Sequence, residues 1–149
     1  MKTLFQKEVV DEVLGRIDML TPETQRLWGK MSVNQMLAHC SVGIRTAKGE
    51  LFLKSGFFLK LVGSIFKSQT TNEKHFSKGS PTHPGFIIGD TAGFEKEKQS
   101  LIGLIRQFHK DGEGKTTTNP HAFFGKLTPT QWGSLMYKHI DHHLRQFGV

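Results

Sequence analysis

The chain holds a single cysteine, a single tyrosine and only two tryptophans. Cys40 has no partner within the chain, so a disulfide scaffold is excluded. No apolar run approaches the roughly 18 residues needed to cross a bilayer, and Met1 to Glu8 lacks the apolar core of a signal peptide. Strand-type alternation is nowhere sustained, and neither an internal repeat nor a low-complexity tract is present. Acidic residues are scarce: 13 Asp+Glu stand against 20 Lys+Arg, a formal net charge of +7. These absences lead us to expect a soluble protein of a reducing compartment, the cytoplasm, with no transmembrane segment.

What is present suits one folded domain over residues 1–149. The 149 residues are 36% hydrophobic and include 12 Phe, too apolar for a disordered chain and long enough to bury a sizeable core. The basic excess favours anionic partners. It is partly concentrated between Leu51 and Lys78, where Lys54, Lys60, Lys67, Lys74 and Lys78 face only Glu73.

Helical spacing dominates. Phe5, Val9, Val13 and Ile17 recur every four residues, with Val10 and Leu14 beside them. Thr21-Pro22-Glu23 reads as a cap followed by proline, opening a short helix that reaches Leu27 and Trp28 and ends at Gly29. Ser32-Val33-Asn34-Gln35 has capping-box spacing. Val33, Met36, Leu37, Cys40, Ile44 and Ala47 then share one side of a helix that stops near Gly49. Residues Leu51 to Phe66 form a candidate short amphipathic helix, weakened by Gly56 and Gly63. Ser68 to Gly89 reads as a long loop with a turn at His83-Pro84-Gly85. A further helix is expected from Ala92 to His109, with Phe94, Leu101, Leu104, Ile105 and Phe108 as its core face. Thr128-Pro129-Thr130-Gln131 is a second capping box, opening a last helix to Phe147. Four principal helices with one long connection in the middle predict an all-α four-helix bundle.

Two apparent nucleotide motifs fail on context. Gly114-Lys115-Thr116 lacks the preceding glycine and strand of a phosphate-binding loop, and Asp90-Thr91-Ala92-Gly93 precedes it instead of following it. A polar loop and a helix cap at Asp90 or Thr91 account for both.

The informative residues are histidines. With each helical residue turning about 100°, Trp132, Leu135, Met136, His143, Gln146 and Phe147 all fall within about 80° of His139. His139 and His143 therefore lie one above the other on the buried side of the last helix, while Lys138, Asp141 and Arg145 point away and His142 lies at the edge. Two imidazoles so spaced can share a metal ion. The plainer alternative is a pair of neutral core histidines bonded to a carbonyl or to Gln146. His39, beside Met36 and Gly43 on the second helix, would add a third nitrogen ligand between helices, where bundles place metals. His121 precedes Ala122-Phe123-Phe124-Gly125 and reads as loop packing that could cover the site. His75 and His83 sit in the long loop, and His109 ends a helix. Cys40 points into the core and reads as a small hydrophobe.

Trp28-Gly29-Lys30-Met31-Ser32-Val33-Asn34-Gln35-Met36-Leu37-Ala38-His39 resembles the second-helix signature of the DinB-like superfamily of DNA-damage-inducible four-helix proteins. His139-Ile140-Asp141-His142-His143-Leu144-Arg145-Gln146 resembles its last-helix signature. Phe124-Gly125-Lys126-Leu127-Thr128 and Gln131-Trp132-Gly133 are similar to an uncharacterised branch. The resemblance implies an up-down-down-up bundle, a homodimer, and a divalent metal held by three histidines, here His39, His139 and His143. This chain has a third histidine in the last helix, so His142 is an alternative to His143. Some relatives are transferases or isomerases that use a low-molecular-weight thiol.

Three imidazoles leave the metal its full double charge and at least one open position, suited to activating a thiol or a water. Zinc or nickel suits such a ligand set, with iron a third candidate. The expected function is thus a metal-dependent enzyme acting on a small molecule, a thiol S-transferase or a hydrolase. The alternative is a non-catalytic helical module that binds nucleic acid or lipid through the basic segment; nucleic acid is the less expected partner.

Overall fold

The computed structural model describes residues 1–53, 67, 72, 74–80, 82–89 and 91–149. Four α-helices organise them: α1 (Lys7–Asp18), α2 (Val33–Ala47), α3 (Phe94–Asp111) and α4 (Pro129–Gln146). Among the described residues there is no strand, only an isolated antiparallel bridge between His121 and Gly125. The expected all-α four-helix bundle is what forms. None of the described helices is long and apolar enough to cross a membrane. The candidate helix over Leu51 to Phe66 lies largely outside the described residues, as does Asp90.

The helix starts follow the local chemistry. Ser32 and Thr128 each form a complete capping box, with Gln35 and Gln131 returning the bond. Each cap satisfies orphan N–H donors and is worth about 1 kcal/mol. Gly49 and Gly148 follow the ends of α2 and α4 with φ of +78° and +79°, the left-handed conformation that glycine adopts without cost.

One expectation fails. No helix forms between Thr21 and Trp28. Thr24 N–H bonds to the Thr21 carbonyl at 3.0 Å, giving one turn, but Leu27 N–H goes to the carbonyl of Gln146 at 2.7 Å instead of continuing a helical ladder. So short a segment cannot repay helix nucleation, and the end of α4 captures its backbone. The third long helix, expected from about Ala92 to His109, runs Phe94–Asp111, with Gly93 at φ +100° as its N-cap.

The helices pack with α2 against α3 and α4, and α1 against the same two. The core holds Val9, Val13 and Ile17 of α1, Met36, Leu37, Cys40 and Ile44 of α2, Leu101, Ile105 and Phe108 of α3, and Trp132, Ile140 and Leu144 of α4. Burying each large apolar side chain stabilises the fold by about 1.5–3 kcal/mol. The α2 positions are those its spacing picks out. On α3 the face also takes in Ile102, while Phe94 and Leu104 stay at its margin. Phe5 stacks on Phe108 with ring centroids 5.2 Å apart, and His109 Nδ1 lies 3.1 Å from the Leu4 carbonyl. The expected role of His109 at a helix end is thus joined by a tie to the chain's first residues.

Candidate metal centre

The α2–α4 contact brings His39 to His139 and His143. One turn of α4 separates the last two, so both rings project from the same face. The three ring centroids stand 4.8, 4.6 and 4.9 Å apart. One ring nitrogen from each falls within 4.8 Å of the others. Gly43 makes the approach feasible: a Cβ there would lie 3.0 Å from Nδ1 of His139. Gly43, next to His39 on α2, leaves room for the facing His139 ring.

Hydrogen bonds decide which nitrogen each ring presents. His39 Nδ1 lies 2.9 Å from the Phe86 carbonyl. A carbonyl only accepts, so Nδ1 carries the proton and Nε2 of the neutral ring is bare. That Nε2 faces Nε2 of His139 at 2.8 Å. His143 Nδ1 lies 2.8 Å from Oε1 of Gln146, whose amide nitrogen donates to the Trp28 carbonyl at 2.7 Å. The bonds to a carbonyl and to Gln146 that would mark ordinary core histidines are therefore present, but each occupies only one nitrogen. In metal sites such bonds fix the tautomer and aim the other nitrogen.

The rings are neutral near pH 7. Burial lowers the pKa of His39, against the opposing pull of the Phe86 carbonyl. His139 falls well below the ordinary range, first through burial and then through its histidine neighbours. His143 is pushed down to about 3, first by burial and then by His39. Nδ1 of His139 is buried and has no hydrogen-bond partner among the described residues. Three neutral imidazoles, joined by no carboxylate or thiol among the described residues, make a donor set that fits a divalent first-row ion.

The remaining histidines stand apart from this cluster. His142 meets His143 edge-on at 5.1 Å and lies near Trp28 and Phe76. It lines a cavity of about 220 Å³ with Phe76, Tyr137, Lys138 and Asp141. The cluster contains His143, not its alternative His142. His121 stacks on Phe124 and accepts the N–H groups of Phe123 and Phe124 at Nδ1, which is the expected loop packing. Burial pushes its pKa down to about 4. His83 Nδ1 caps the Pro84–Phe86 turn, and His75 approaches Asp141 at 3.4 Å. Cys40 is fully buried beside Met36, and burial raises its thiol pKa. Asp141 is buried too, but bonded to Arg16 at 2.7 Å. The Phe86 and Trp28 carbonyls were not foreseeable from residue type, because every residue carries that acceptor.

A family model described as "Protein of unknown function (DUF1569)" matches residues 2–148. No curated protein and no solved structure matches the chain.

Proposed function

We propose that this chain, which belongs to the DUF1569 family of proteins of unknown function, is a divalent-metal-dependent enzyme. His39, His139 and His143 would hold the ion. The observation that carries the reading is the meeting of three neutral ring nitrogens within 4.8 Å of one another. A bound divalent ion supplies Lewis acidity at a coordination position that three protein ligands leave free.

The chain's own residues narrow the reaction class. Phe86 packs against the rings of His39 and His139, with centroids 5.5 and 6.1 Å away, and covers one side of the site. Cys40 is buried with its thiol held protonated, so it offers no thiolate. An attacking group supplied from solution, as a low-molecular-weight thiol or a water, fits this lining. This supports an S-transferase or hydrolase acting on a small electrophile. The likeness of both signatures to DinB-like proteins supports the thiol, and implies a homodimer. Zinc or nickel is the proposed metal, with iron third. Of the basic segment, Lys54 and Lys60 lie outside the described residues, Lys67 bonds to the Lys126 carbonyl, and Lys74 and Lys78 are exposed.

Elemental analysis of purified wild type, His139→Ala and His143→Ala tests the proposal. About one divalent ion per wild-type chain is expected on the ligand count, with little in either variant. Equal metal in all three would sink it. Thiol-dependent substitution of an activated aryl halide, measured before and after chelation, tests the reaction class.

A further inference from the structure

We infer that Gln146 is a positioning residue of the metal centre, setting which nitrogen of His143 faces the cluster and held in turn by the Trp28–Gly29 turn. The inference rests on the metal reading above.

The chain of donors runs one way. The Trp28 carbonyl can only accept, so the Gln146 nitrogen at 2.7 Å must be the amide donor. The amide oxygen then faces Nδ1 of His143 at 2.8 Å and can only accept. His143 therefore carries its proton on Nδ1, and its Nε2 is the bare nitrogen left for the cluster. Gln146 is itself held at both ends: its backbone carbonyl accepts from Leu27 N–H at 2.7 Å. Both Gln146 and His143 are buried, at 4% and 8% exposure, so water does not replace these bonds.

Gly29 is part of the device. It stands at φ +81°, and a Cβ there would lie 2.4 Å from the Gln146 amide nitrogen. The amide occupies the space that any other residue would fill. The three ligands are thus supported unequally. His39 is aimed by a backbone carbonyl and His143 by a side chain, while His139 Nδ1 has no partner among the described residues. His143 is the one whose support a side-chain substitution can remove.

The test uses full-length protein with 15N-labelled histidine. Long-range 1H–15N spectra of the metal-free protein read each tautomer, and competition with a chelating dye reads zinc affinity. Wild type should show the Nδ1–H tautomer at His143. Gln146→Met keeps the side chain's length and removes both bonds. It should lose that preference, leave His39 unchanged, and weaken zinc binding about 10–100-fold, the usual cost of losing such a partner. Gln146→Glu, read at a pH low enough to protonate it, keeps an acceptor for Nδ1–H and gains an O–H that can donate to the Trp28 carbonyl, so it should retain the tautomer.

A folded Met variant that keeps either the wild-type tautomer or the wild-type affinity overturns the inference. If the Met variant does not fold, a folded Glu variant that loses the tautomer overturns it equally. Should wild type bind no zinc while the Met variant still releases the His143 tautomer, the metal reading falls and the hold of Gln146 on His143 stands.

Discussion

His39 and His139 meet Nε2 to Nε2 at 2.8 Å, from positions 100 residues apart in sequence. His39 spends its proton on the Phe86 carbonyl. Two bare nitrogens at this separation would repel, so the contact needs either a proton from His139 or a shared cation. With the proton, Nδ1 of His139 becomes a buried acceptor without a partner, a state that costs about 1–3 kcal/mol. A cation draws on both lone pairs at once.

Metal should therefore stabilise the fold by mass action. A ligand at 100 times its dissociation constant adds about 2.7 kcal/mol. Added zinc should raise the melting temperature of chelator-stripped wild type, and excess chelator should reverse the rise. His139→Ala should melt at one temperature under both conditions. A zinc-dependent shift of equal size in that variant would place the ion elsewhere.

Gly43→Ala should separate stability from metal binding. Alanine in a helix interior is favoured over glycine by about 1 kcal/mol. Here the new Cβ would sit 3.0 Å from Nδ1 and 3.2 Å from Cε1 of His139, tighter than ordinary contact, so the imidazole must shift by a few tenths of an ångström. Thermal stability should hold or rise while zinc affinity falls. Melting curves and dye competition on the same sample check both halves; unchanged affinity would mean that the ring has slack.

His121 should make the protein acid-sensitive. Its folded pKa, about 4, lies below the ordinary 6.5 because it is buried. As pH falls through 6.5 the unfolded chain takes up a proton that the folded one does not. The contribution of this residue should be lost between pH 6.5 and 4 and level off below, with a slope of at most about 1.4 kcal/mol per pH unit. His121→Phe keeps a ring against Phe124 and Trp132 and should make the profile shallower in that window, where the other buried histidines also contribute. Urea denaturation at stepped pH measures it; parallel profiles would show that His121 does not carry the effect.

The sequence made legible whatever depends on spacing and side-chain type. Both capping boxes form at the residues that spelled them, and the α2 core face is the one its apolar spacing marks. The candidate ligands were legible for the same reason: the His139–His143 spacing stacks two rings, and His39 sits on a helix that packs against α4. Events decided by tertiary contact were not. The segment from Thr21 to Trp28 carries good helix-start chemistry, yet its backbone pairs with the end of α4. Gly43 was legible as small but not as the floor under His139. The carbonyls that aim His39 and Gln146 leave no trace in residue type, because they belong to the main chain.

Asp141 tests whether a buried acidic group beside these histidines belongs to the centre. It is 8% exposed and follows His139 by two residues, which on a helix turns it to the far side. There Oδ1 accepts from Arg16 of α1 at 2.7 Å, and Arg16 also donates to the Val149 carbonyl at 2.9 Å. The pair joins α1 to α4 and tethers the chain's last residue. Asp141→Asn removes the charge and keeps an acceptor of the same size. Replacing a charge-assisted bond by a neutral one here should cost about 1 kcal/mol in urea denaturation, less at high salt because the pair is partly screened. Metal content should not change, since the carboxylate faces away from the cluster. If Asp141→Asn lowers metal content while the helices remain folded, the centre extends around α4 and three imidazoles do not complete it.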